Sequence, residues 1–196
     1  MNNKLLLAPV VAIAALLPAA HAEEAPWLVR VRAVNLDSAN KDGTGLDLNV
    51  NDKVIPEVDI SYFFTPQLAA ELILTYPQKH RVRAGDTKIG SLKHLPPTLT
   101  VQYHFTDLGA FKPYVGAGLN YTRFMSVDLP DGVSIDKNSF GFALQAGVDF
   151  EVAKNVYLNL DVKKVQIRTD VKAAGDTLGS FKVDPLLIGV GLGMRF

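Results

Sequence analysis

Apolar and polar residues alternate along most of this 196-residue chain. Trp27, Val29, Val31 and Ala33 oppose Arg30 and Arg32. Val54, Val58, Ile60, Tyr62 and Phe64 oppose Glu57, Asp59 and Ser61, and Ala70, Leu72, Leu74 and Tyr76 oppose Glu71 and Thr75. A period of two places successive side chains on opposite faces of a strand, so each segment has one greasy face. Five further segments, near 98–105, 113–122, 139–150, 156–162 and 184–196, repeat the pattern. In the last of them Leu186, Ile188, Val190, Leu192, Met194 and Phe196 share one parity, and Gly189, Gly191 and Gly193 share the other. Eight strands are predicted.

The links alternate as well. Those near 65–67, 106–110 and 152–155 are short, whereas those near 38–51, 78–93, 126–137 and 172–180 are longer and polar. Short periplasmic turns opposite long extracellular loops are the asymmetry of an outer-membrane barrel. A soluble lipocalin-like barrel is the alternative, and it would turn the greasy parity inward. The polar parity collects Arg30, Arg32, Glu57, Asp59, Glu71, Asp149 and Asp161, together with Gly116, Gly118, Gly141, Gly147 and the three terminal-strand glycines. Small residues suit a narrow lumen, and charges of both signs there can pair into a polar plug. The expected fold class is therefore all-β, an eight-stranded antiparallel transmembrane barrel in a Gram-negative outer membrane. One strand breaks the rule: after Val162, alternation places Lys164, Gln166 and Arg168 toward lipid. Either a β-bulge at Lys163-Lys164 resets the parity, or this part projects above the bilayer.

At the N-terminus, Lys4 precedes an apolar run, and Ala20-His21-Ala22 supplies the small residues of a cleavage site. Residues 1–22 read as a removable export signal and 23–196 as the barrel. That run is shorter than the ~20 residues a membrane helix needs. The chain holds 20 Lys+Arg against 20 Asp+Glu and has no Cys. Charge balance argues against a nucleic-acid partner, and the lack of Cys excludes disulfides and thiolate metal sites. Trp27, Phe64, Phe105, Phe150 and Phe196 sit at the inner strand ends, where an interfacial girdle belongs. Phe196 is also the terminal aromatic that the barrel assembly machinery reads. A monomer is expected.

Other chemistry is thinly marked. Ser61, Glu71 and His104 share the lumen parity on consecutive strands and near the inner turns, yet an enzyme acting on lipid needs its nucleophile at the outer rim. No catalytic site, cofactor or metal site is therefore assigned. His80 and His94, with Asp86, lack fixed ligand spacing. Lys79, His80, Arg81, Arg83, Lys88 and Lys93 form a basic cluster suited to lipopolysaccharide phosphates or simply to water.

Several segments are familiar together: Lys93-His94-Leu95-Pro96-Pro97-Thr98-Leu99, the run 112–122 from Lys112-Pro113-Tyr114 to Asn120-Tyr121-Thr122, Gln145-Ala146-Gly147-Val148-Asp149 and Val183-Asp184-Pro185. In this order, over about 27–196, the chain resembles the OmpW family of small outer-membrane proteins, a group that includes the alkane-uptake protein AlkL. The resemblance is weakest in the loop at 37–51. It implies passive uptake of small hydrophobic molecules, released sideways into the bilayer. For such a route Pro77, Pro96 and Pro97 are the expected lateral gate, because each proline removes a ladder donor, and Pro56 extends the irregular zone. Ile55, Phe124, Val183, Pro185 and Leu187 are the expected funnel lining. The plainer reading makes these prolines loop punctuation and these apolar residues packing under the loops. A structural or host-contact barrel that only displays loops is the alternative function.

Overall fold

The computed structural model describes residues 25–196; the expected export signal lies outside the described residues. In chain order the strands are β1 (Trp27–Asp37), β2 (Lys41–Asp42), β3 (Leu48–Val50), β4 (Lys53–Phe63), β5 (Leu68–Thr75), β6 (Gln78–Ala84), β7 (Thr87–Leu95) and β8 (Thr98–His104). There follow β9 (Phe111–Asp128), β10 (Val133–Ile135), β11 (Asn138–Ala153), β12 (Val156–Val165), β13 (Arg168–Ala173), β14 (Asp176–Lys182) and β15 (Leu186–Arg195). The wall is an antiparallel ring in the order β11, β12, β15, β1, β4, β5, β8, β9, and β9 closes it onto β11. Closure gives each wall strand a partner on both sides within the belt, as the hydrocarbon demands. The predicted eight-stranded barrel is therefore present.

The four long connections are not the irregular loops expected from their polarity. They hold β2, β3, β6, β7, β10, β13 and β14, which raise the wall outward; β10, β13, β14 and β2 form a second sheet. Alternation continues there, with Val82, Leu92, Val171 and Phe181 buried, and pairing satisfies the backbone while covering these side chains.

The greasy parity looks outward. Trp27, Leu72, Leu99, Leu119, Leu160 and Val190 are exposed, and Phe142 is 66% exposed. So broad an apolar belt is a lipid-facing surface. Trp27 and Tyr62 meet edge to face at 4.8 Å near the inner rim, where the Phe196 and Trp27 backbones also exchange hydrogen bonds of 2.8 and 3.1 Å. At the outer rim Tyr76 and Tyr121 are the last outward apolar residues before Lys79, Arg81 and Arg123 take over that face. On β12 the expected bulge at Lys163-Lys164 is absent: pairing with β11 shifts only between Glu151 and Ala153. The parity runs through, burying Lys163 and exposing Lys164, whose ammonium reaches the Asp184 carbonyl in the outward extension.

Two glycine positions follow from the large side chains beside them. Arg32 opposes Glu57 on β4 and Gly191 on β15. A Cβ on Gly191 would lie 2.1 Å from the Val31 carbonyl oxygen and 2.6 Å from Arg32 Cγ, so the arginine stem lies in the space that glycine leaves. Gly147 likewise sits under Tyr114, whose hydroxyl would be 2.4 Å from an added Cβ. Gly191→Val is expected to cost at least 1–3 kcal/mol of stability by overpacking, or to block assembly; urea unfolding in detergent measures it.

The interior is layered along the axis. Leu28, Phe63, Ala69 and Tyr157 close the inner end, charged and amide side chains fill the middle, and a large apolar cluster including Leu36, Ile55, Phe124, Ile167, Val183 and Leu187 fills the outer part.

Candidate functional site

The middle layer starts from two arginines on β1, whose alternate positions both face inward. Arg30 binds Asp149 through two parallel contacts, Nε to Oδ1 at 3.0 Å and Nη2 to Oδ2 at 2.6 Å, and Nη1 reaches Asp59 at 2.9 Å. Such a fork matches a carboxylate better than a point charge does. Arg32 Nη2 meets Asp59 Oδ2 and, at 3.0 Å, Glu71 Oε1; Nη1 lies 3.2 Å from Asp161. Its Nε is 3.1 Å from Glu57 Oε1, close enough for charge attraction but without an aligned hydrogen bond. All seven residues expected in the plug are buried and joined to one another.

Lys163 shares this inward parity and joins the plug although it is not among the residues expected there. Its ammonium is 2.6 Å from Glu57 and 2.8 Å from Asp161. Three cations therefore face five carboxylates, and neutral donors stabilise the surplus negative charge. Gln102 donates to Glu71 at 2.8 Å, and the Tyr114 hydroxyl and Gln145 amide both donate to Asp161 at 2.7 Å. These side chains close the narrow lumen to a continuous aqueous path.

Above the plug the wall is interrupted. β5 and β8 pair up to Ile73↔Thr98, and β6 and β7 resume at Gln78↔His94. Between these pairs Leu74, Thr75, Tyr76 and Pro77 stand against Leu95, Pro96 and Pro97, one residue more on the first side, as in a β-bulge. Proline lacks the N–H that a ladder needs. The opposite side of β7 and β8 stays attached to β9 in one register, from His94↔Phe124 to Thr98↔Asn120, with Tyr121 N bonded to Pro97 O at 3.0 Å. Only the side toward β5 and β6 parts. Pro77 follows the end of β5 and Pro96-Pro97 immediately precede β8; strand resumes beyond each, so the prolines interrupt two long arms.

Side chains replace the missing donors. Asn120 Nδ2 donates to the Pro96 and Pro97 carbonyls at 3.2 Å each, Gln78 Nε2 to Tyr76 O at 3.0 Å, and Thr75 Oγ1 to Pro56 O at 2.8 Å. Sequence reading missed these three; Gln78, a polar residue directly after Pro77, carries a local signal, whereas Asn120 is brought to Pro96 and Pro97 only by register.

Behind the break lies a cavity of about 20 Å³, lined by Leu36, Ile55, Leu74, Thr75, Pro96 and Leu187 among others, with Glu57 and Lys163 also on its wall. That is room for about one water. Of the expected funnel residues, Ile55, Pro185 and Leu187 line it, while Phe124 and Val183 pack in the apolar cluster above. The funnel residues are thus brought together and packed against one another.

The remaining polar groups fall elsewhere. Ser61 Oγ accepts from Arg30 at 3.1 Å and His104 Nε2 meets Gln102 Oε1 at 3.0 Å, so the hydroxyl and imidazole engage different partners. His80 is not part of the exposed basic cluster: it is buried and stacked on His94, with ring centroids 4.6 Å apart, while Asp86 is exposed at the hairpin tip. Lys79, Arg81 and Arg83 face outward, and Lys79 stands opposite Lys93.

A closed eight-stranded barrel with a lipid-facing apolar belt and a charge-paired lumen is an outer-membrane β-barrel protein. The chain belongs to the OmpW family, whose pattern it matches over residues 28–196. It is 47% identical to an outer-membrane protein of Sinorhizobium fredii, y4mB, over 87% of this chain and 80% of that one. It is 31% identical to outer membrane protein W of Vibrio cholerae over 89% and 90%. The dibenzothiophene metabolism operon protein DoxH of a Pseudomonas species is 26% identical over 89% and 90%. Among solved structures, the outer membrane protein OprG of Pseudomonas aeruginosa superposes with a TM-score of 0.74 at 25% identity, covering 88% of this chain and 97% of that one.

Proposed function

We propose that this barrel is a passive conduit through which small hydrophobic molecules enter the outer membrane, leaving sideways between the β5–β6 and β7–β8 arms. The carrying observation is the proline-rich interruption of the ladder at the outer rim of the apolar belt, directly in front of an apolar cavity. The plug stops axial flow, so a solute that reaches the cavity has lipid as its nearest exit. The place of DoxH in a dibenzothiophene operon supports the same class of solute. In the closed form the cavity holds no more than a water, so passage requires the apolar cluster to part. Lipopolysaccharide phosphates are the proposed neighbours of Lys79, Arg81 and Lys93, since like charges directly opposite each other repel unless an anion sits between them.

Uptake of naphthalene by cells lacking the chain, cells bearing it and cells bearing Leu187→Arg tests the reading. The wild type should exceed the deletion strain several-fold, and a guanidinium in the cavity should return uptake to the deletion level. Equal uptake in the wild-type and deletion strains would sink the conduit and leave a loop-displaying structural role.

A further inference from the structure

Among the described residues, three buried polar atoms beside the break have no hydrogen-bond partner: Gln78 Oε1, His80 Nε2 and His94 Nε2. Their side chains are at most 1% exposed. Gln78 opposes His94 across the β6–β7 pair, and His80 follows two residues on, so all three face the interior together. Two of the free atoms have assigned roles. Gln78 Nε2 donates to the Tyr76 carbonyl, which leaves its oxygen as the open end. His80 Nδ1 lies 2.9 Å from the Asn51 carbonyl, a pure acceptor; Nδ1 therefore carries the hydrogen and Nε2 presents a lone pair. His94 stacks on His80 and lines the cavity beside Leu74 and Pro96.

Both imidazoles lie above the membrane belt, where burial disfavours their charged forms. Burial, then the neighbouring His80 and Lys53, pushes His94 down to about 3, and burial shifts His80 the same way. A lone pair buried without a donor is unfavourable, and a native structure that keeps two in one place calls for a guest to complete them.

We propose that Gln78, His80 and His94 form a polar subsite at the outer edge of the cavity that selects hydrophobic solutes bearing one hydrogen-bond donor, such as aromatic alcohols, over hydrocarbons of the same shape. The donor end meets the lone pairs, and the apolar body lies against Leu36, Ile55, Leu74 and Leu187. A metal cation is the competing guest, and Lys53 beside both rings together with the absence of a carboxylate from the trio disfavours it. The inference rests on the conduit reading and adds the solute class to it. Each neutral hydrogen bond gained favours the alcohol by roughly two- to tenfold.

The test compares naphthol with naphthalene. Initial uptake rates, corrected for cells lacking the chain, are measured for the wild type and for His80→Phe/His94→Phe, with assembly checked by heat-dependent gel migration. The wild type should prefer naphthol roughly fivefold, and the variant should carry both solutes at about the naphthalene rate. In parallel, nitrogen-15 histidine spectra of the wild type in lipid nanodiscs should show His80 Nε2 shifting on addition of naphthol and not of naphthalene. Zinc added alone should leave that resonance in place. Equal carriage of both solutes by the wild type, or a His80 signal unmoved by naphthol, overturns the subsite while the conduit stands. If neither solute is carried, or the variant fails to assemble, the nitrogen spectra alone decide the subsite, and only the former outcome removes the conduit.

Discussion

Arg32→Met should lower the unfolding free energy of the barrel by about 3–5 kcal/mol, the usual cost of removing one partner from a buried charge cluster. Arg32 lies within ion-pair distance of Glu57, Asp59, Glu71 and Asp161. Without it, five buried carboxylates face only Arg30 and Lys163, in a lumen with little water to screen them. Methionine keeps most of the volume and the unbranched stem beside Gly191, so a cavity contributes little to the loss. Urea unfolding in phospholipid vesicles, followed by the fluorescence of Trp27, measures it. Adding Asp59→Asn and Glu71→Gln to Arg32→Met should recover part of the loss, because the repulsion it exposed is then relieved. A loss under about 1 kcal/mol would mean that the lumen tolerates uncompensated charge, and the plug would no longer explain why the barrel is closed.

Replacing Pro77, Pro96 and Pro97 together by Ala should have the opposite effect on stability and a large effect on transport. Alanine at 77 and at 96 returns an N–H to arms that lie side by side, whereas alanine at 97 returns one toward β9, where the Pro97 carbonyl already accepts from Tyr121. Each restored ladder bond contributes about 0.5–1.5 kcal/mol net, and more where lipid offers no substitute partner. Two such bonds favour the closed wall enough to reduce an open population roughly tenfold or more. Naphthalene uptake should fall by about that factor while resistance to urea rises. A more stable barrel with undiminished uptake would remove the gap as the exit, and solute would then have to leave elsewhere along the wall.

Strand count, closure, the outward greasy face and the inward position of the seven charged plug residues were legible because period-two alternation is a local property and every strand repeats it. The lipid solvent strengthens that signal, since a single error in parity would place a charge among acyl chains. Lys163-Lys164 shows where local reading falters. Alternation alone left open a bulge or a projecting strand, and only the unbroken register with β11 and β15 rejects the bulge. The outward sheets were also hidden, because polar composition reads as loop until pairing partners distant in sequence come together.

The sequence by itself determined the barrel, its orientation and the family, through residue parity, glycine placement and motif order, all of which survive without knowledge of who touches whom. Tertiary structure decided which acids surround which cation, that Lys163 belongs among them, that Gln78 and Asn120 satisfy carbonyls on the two sides of the proline break, and that His80 stacks on His94. These depend on register between strands, in part between residues more than a hundred positions apart, such as Arg30 and Asp149, and one-dimensional spacing carries no information about which rungs meet.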